Sequence, residues 1–123
     1  MHIRAHIICT GGETNMNRDE ELQCSNEINK AIDFDYYKTL FDPVRIEIIR
    51  YLAVYGAKNI TEIAGNLPQE RSVISRHLDL MHRFEILSKT KTGRNTYYEV
   101  NSQMIFDKFK LTTDQLEKLL NNC

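Results

Sequence analysis

Apolar residues recur at helical spacing through the middle of the chain, and the period changes after Phe84. Val44, Ile48, Ile49, Leu52 and Ala53 mark one face of a helix. Asp42 before it is a cap, and Pro43 takes the first helical position, where its missing N–H costs nothing. Tyr55-Gly56 ends it. A short helix follows Asn59, with Glu62 completing a capping box and Ile60, Ile63, Ala64 and Leu67 as the buried stripe. Pro68-Gln69 then turns the chain into a further helix from Arg71 to about Phe84. Ile86 to Lys91 and Thr96 to Val100 are rich in β-formers, and Thr92-Gly93-Arg94-Asn95 between them is turn chemistry, which predicts a β-hairpin with a cationic tip.

The two ends are patterned differently. Residues 1–24 read as a flexible arm, because Gly11-Gly12 breaks any period and Asn, Asp and Glu follow in quantity; Met16 offers an alternative start. Residues 25–123 read as the folded domain, beginning with a helix capped by Ser25 that carries Ile28, Ala31 and Ile32 on one face. Asp33 and Asp35, beside Tyr36-Tyr37, read as caps and surface. At the C-terminus Met104, Ile105, Phe106 and Phe109 return to helical spacing. Thr112 with Gln115 then reads as a second cap before Leu116, Leu119 and Leu120.

The segment RSVISRHLDLM (71–81) splits into two faces. At about 100° per residue, Arg71, Ser75, Asp79, Ser72 and Arg76 occupy roughly 140° of arc, and apolar residues with His77 fill the other side. A helix packed by one face and followed by a cationic hairpin forms a helix-turn-helix with a wing. In such a unit the second helix enters the major groove and the wing grips the neighbouring backbone. Arginine reaches phosphate or the acceptor edge of guanine, and serine suits phosphate oxygens. Arg71, Ser72, Ser75 and Arg76, with Lys89, Lys91 and Arg94 on the wing, are therefore the candidate DNA contacts.

Composition adds limits. The 123 residues, with 41% hydrophobic and 27% charged, suit one globular domain. No apolar run approaches the roughly 18 residues of a membrane span, and Ile7-Ile8-Cys9 is too short for a secretory core, so a cytoplasmic setting is expected. The net charge of −1 says nothing in favour of nucleic acid, but its distribution does. Residues 1–42 hold eight acidic groups against four basic ones, whereas residues 71–94 hold six basic against two acidic. That is the electrostatic footprint expected where phosphates are met. There is no Gly-rich phosphate loop, framed carboxylate pair or nucleophile motif to indicate an enzyme.

From about Tyr37 to Asn101 the sequence resembles the ArsR/SmtB family of dimeric winged-helix repressors. Four blocks in order carry the resemblance: LFDPVRIEIIRYL (40–52), NITEIAGNL (59–67), SVISRHLDLM (72–81) and the wing TGRNTYYEV (92–100). Glu70 departs from it, standing where the family commonly has a Ser or Thr cap, and Pro68-Gln69 replaces the usual turn pair. The resemblance implies a mainly α fold with a small β-hairpin, a winged helix-turn-helix that dimerises through its N- and C-terminal helices. It also implies an inverted-repeat DNA operator and repression as the output. The apolar stripes Ile28, Ile32, Phe106, Leu116, Leu119 and Leu120 are consistent with a homodimer.

The family's metal sites are missing: NITEIAGNL has no cysteine, and residues 101–120 have no histidine. No cofactor is therefore expected, although a metal at other residues stays open. What remains is thiol chemistry. Cys9, Cys24 and Cys123 are an odd number with no CxxC pair, so they outline no disulfide framework. A redox or reactive-sulfur switch through Cys24 with Cys123 or Cys9 is one reading, and a soft-metal site from Cys24 and Cys123 is another. His77 falls on the apolar arc and reads as a packed, hydrogen-bonded histidine, and His82 as exposed. His2 and His6 near Cys9 lack a scaffold for a metal. A winged helix used only for protein contacts remains the alternative to DNA binding, disfavoured by the arginine face and basic wing.

Overall fold

Asn17, not Ser25, starts the first helix. Its Oδ1 accepts from the Glu20 amide at 2.8 Å, and its own amide donates to the Glu20 carboxylate at 3.5 Å. The computed structural model describes residues 17–121. Their order is α1 (Arg18–Ala31), α2 (Phe34–Leu40), α3 (Pro43–Tyr55), β1 (Lys58–Asn59), α4 (Ile60–Gly65), α5 (Arg71–Arg83), β2 (Leu87–Thr92), β3 (Asn95–Val100) and α6 (Ser102–Asn121). This is a mostly helical winged helix-turn-helix with a small antiparallel sheet.

The chain forms two units, residues 35–106 and the two flanking segments together. In the first unit, the apolar positions meet as the period required. Ile48 and Leu52 of α3, Ile63 of α4, and Ile74, Leu78 and Met81 of α5 are at most 1% exposed, and Ile86 and Leu87 join them. Each such side chain contributes about 1.5–3 kcal/mol on leaving water, so α5 is held by one whole face. Asp42 caps α3 as expected, accepting from the amides of Val44 and Arg45 at 2.9 and 3.2 Å. Asn59 and Glu62 form the expected capping box at the start of α4.

The sheet has the order β1-β3-β2. β2 pairs with β3 from Leu87↔Val100 to Thr92↔Asn95, leaving Gly93-Arg94 as a two-residue turn. Gly93 has φ +62°, a conformation that turns with glycine first require. The strand β1 adds Lys58↔Tyr98 and Asn59↔Tyr97 on the other edge. It is a two-residue element with no sequence signal of its own, and it ties the helix-turn-helix to the wing.

Two sequence expectations are corrected. Ser25 lies inside α1, so residues 18–24 of the expected arm are helical. Asp33 and Asp35 are exposed as expected, while Tyr36 and Leu40 beside them, 5% exposed, belong to the core through α2, an element the pattern did not reveal. Thr112 is not a cap, because α6 runs unbroken through it and its hydroxyl donates to the Lys108 carbonyl at 2.8 Å.

In the second unit, Lys108 Nζ lies 2.7 Å from Asp33 Oδ2. Cys24, half-buried on α1, is disulfide-bonded, against the expectation that the three cysteines outline no disulfide framework. Cys9, Cys123, His2 and His6 lie outside the described residues. Phe109, Leu111 and Leu120 of α6 and Leu22 of α1 are exposed, while Ile28, Ile32, Leu116 and Leu119 are half-buried.

Candidate nucleic-acid interface

The split face of α5 is realised. Arg71, Ser72, Arg76 and Asp79 are exposed, Ser75 is half-buried, and Ile74, Leu78 and Met81 are fully enclosed. Glu70 serves as N-cap through its backbone only: its carbonyl accepts from the amides of Val73 and Ile74 at 3.0 Å, and its side chain makes no cap bond. The carboxylate is therefore not committed to the helix start. Arg71 is held from outside the helix, its Nη1 donating to Thr61 Oγ1 of α4 at 2.8 Å.

The far end of α5 fixes the wing. Phe84 caps the helix and Glu85 follows in the left-handed region at φ +62°. The Ile86 amide donates to the Met81 carbonyl and the Glu85 amide to the His82 carbonyl, both at 2.9 Å. These two bonds form a Schellman closure, and Met81 and Ile86 supply its buried apolar contact. The chain thus passes from α5 to the wing strand β2 without slack. Along β2 every residue after Leu87 is exposed, including Lys89 and Lys91, and Arg94 is exposed in the turn. Among the described residues, no ion pair neutralises Arg76, Lys89, Lys91 or Arg94. Uncommitted cations on a rigid strand and helix can meet phosphates without first breaking a bond.

Two titratable groups are shifted. His77 accepts at Nδ1 from Arg45 Nε at 3.1 Å, and burial, then the Arg45 guanidinium, hold it below the ordinary histidine value. It is the packed, hydrogen-bonded residue the apolar arc implied, and His82 is exposed as expected. Burial, then the Asp79 carboxylate, raise the Tyr98 phenol. Neither Thr61 nor Arg45 carries a role in the sequence pattern, because each acts on α5 from another helix. Among the described residues, no group of three His, Cys, Asp or Glu side chains is placed to hold a metal, and no helix is long and apolar enough to cross a membrane.

Comparison with known proteins agrees with this geometry. Residues 42–89 match the model for bacterial regulatory proteins of the arsR family. An uncharacterised HTH-type transcriptional regulator of Methanocaldococcus jannaschii is 25% identical over 80 residues, covering 65% of this chain and 90% of that one. The crystal structure of the transcriptional repressor PagR of Bacillus anthracis is 30% identical, with a TM-score of 0.54 over 72% of this chain and 97% of that one. A possible transcriptional regulator for arsenical resistance, 24% identical, shares the fold with a TM-score of 0.57 over 72% and 96%.

Proposed function

The chain belongs to the ArsR family of bacterial regulatory proteins and is a transcriptional regulator, and we propose that it acts as a cytoplasmic homodimeric repressor of an inverted-repeat operator. The observation that carries this reading is the exposed Arg71-Ser72-Arg76 edge of α5 beside a wing whose Lys89, Lys91 and Arg94 make no ion pair among the described residues. A dimer presents two such faces about 34–36 Å apart, one helical turn of duplex. The exposed Leu22, Phe109, Leu111 and Leu120 of the two terminal helices supply the apolar surface for pairing. Repression is supported by the similarity to a chain that is itself a transcriptional repressor.

The signal that releases DNA is a change in thiol state at Cys24. Its bonded sulfur supports this over a soft-metal site, which would need free thiolates. Selection of bound fragments from random duplex DNA, with and without reductant, tests both parts. An inverted repeat whose recovery changes with reductant is expected. Failure to enrich any sequence at low salt overturns DNA recognition. Equal enrichment in both arms overturns the thiol signal alone.

A further inference from the structure

Arg45 joins three helices. Its Nε donates to His77 Nδ1 of α5 at 3.1 Å, and its Nη1 donates to the Thr39 carbonyl of α2 at 3.2 Å. Thr39 is buried and its hydroxyl is satisfied by the Asp35 carbonyl, which leaves its own carbonyl, in the last turn of α2, for the guanidinium. Asp42 in turn holds the Arg45 amide. One half-buried cation therefore sets α5 against both α2 and α3.

The tie works in only one protonation state of the ring. Accepting at Nδ1 requires a lone pair there, hence neutral imidazole with its proton on Nε2. A proton added at Nδ1 points N–H at N–H, removes the acceptor and sets imidazolium against guanidinium. We propose that Arg45 and His77 are positioning residues for the reading helix and form a proton-sensitive tie, so that acidification weakens duplex binding without a bound effector. This rests on the DNA-binding reading above.

The surroundings favour the neutral ring. Burial and Arg45 act against the charged form, Asp42 opposes them, and the adjacent Arg76 adds to them. Glu62 of α4 and Lys89 and Lys91 of β2, the other elements packed on α5, are outside that set. The folded value lies below the unfolded one. The tie is therefore fully present above about pH 6.5 and is lost as pH falls through the folded value. The sign is diagnostic. Adding positive charge to a phosphate-binding surface ordinarily strengthens binding, whereas protonating His77 releases the helix that must be placed.

The test uses the full chain and a duplex it binds, at fixed ionic strength, between about pH 7.5 and about pH 5.5. The expected result is a roughly three- to tenfold loss of affinity on acidification, the scale of one hydrogen bond plus a like-charge contact. His77→Asn places a non-titrating acceptor near the Nδ1 position and should abolish that loss, while His82→Gln should keep it. An identical pH profile in His77→Asn and the unsubstituted chain overturns the proposal. A second measurement needs no DNA: in an NMR titration of the unsubstituted chain, the Arg45 Nε–H signal and α5 amides should change with the His77 ring. Ring titration without those changes also overturns the tie. Absence of binding to any duplex at the higher pH refutes the DNA-binding reading instead, and the NMR titration still decides the tie.

Discussion

Arg71 Nη1 donates to Thr61 Oγ1 at 2.8 Å, joining the first turn of α5 to the first turn of α4. Both residues are exposed, so the bond competes with water and stabilises the fold little. Its effect lies in orientation. A guanidinium with one N–H held leaves the others directed outward, and less rotamer freedom is lost when a phosphate arrives. Thr61→Val, similar in shape but without the hydroxyl, should lower duplex affinity by about 0.5–1.5 kcal/mol. Thermal stability should barely change. Fluorescence anisotropy with a bound duplex, paired with thermal melting, checks the two halves; an unchanged affinity removes the orienting role.

Interactions of this kind were beyond sequence reading, and the reason is distance along the chain. Arg45 and His77 are 32 positions apart, and no local period links them. The α5 face was legible because its apolar stripe, Ile74, Leu78 and Met81, is long enough to fix the helical phase, and the polar side follows by subtraction. The helix α2 was not, because FDYYKTL is seven residues of aromatic and polar types too short to show a period, and Tyr36 enters the core despite its hydroxyl. Thr112 and Gln115 imitate a capping box, yet apolar residues continue on both sides and the hydroxyl simply bonds back one turn. At Asn17 the opposite occurred: NRDE is a true capping box, hidden in an acidic stretch with few apolar neighbours.

Glu85 adopts φ +62° where the Schellman closure favours glycine. An L-residue there costs roughly 1–2 kcal/mol relative to the right-handed region. Glycine escapes that strain but loses more entropy on folding, so Glu85→Gly should stabilise the chain by about 0.5–1 kcal/mol net. Chemical denaturation reads this as a higher midpoint with unchanged slope. A lower midpoint would mean that the Glu85 side chain contributes more than its backbone costs.

Tyr98 pairs with both Lys58 and Lys89 across the sheet and is 8% exposed. Burial and the Asp79 carboxylate raise its phenol above the ordinary value. The folded chain thus holds this proton more tightly than the unfolded one. Its contribution to stability is complete below about pH 10 and is lost as pH rises through the folded value. Tyr98→Phe, which cannot ionise, should flatten the alkaline limb of the stability profile. Equal limbs in the two proteins would place the alkaline sensitivity elsewhere.

On the proposed DNA-reading surface, Arg76 and Lys91 should carry two different tasks. Both are exposed, but Arg76 projects from the helix, where a fork of donors can reach a base edge, and Lys91 stands on a wing strand, where a point charge meets phosphate. Arg76→Ala should therefore cost about 1–3 kcal/mol on the preferred duplex and relax discrimination at one base position. Lys91→Ala should weaken every duplex alike and reduce the slope of log affinity against log salt by about one, since one phosphate contact is lost. Salt titrations on matched and single-mismatch duplexes distinguish the two. If Arg76→Ala weakens all sequences equally, that arginine holds phosphate, and base reading must pass to Arg71, Ser72 or Ser75.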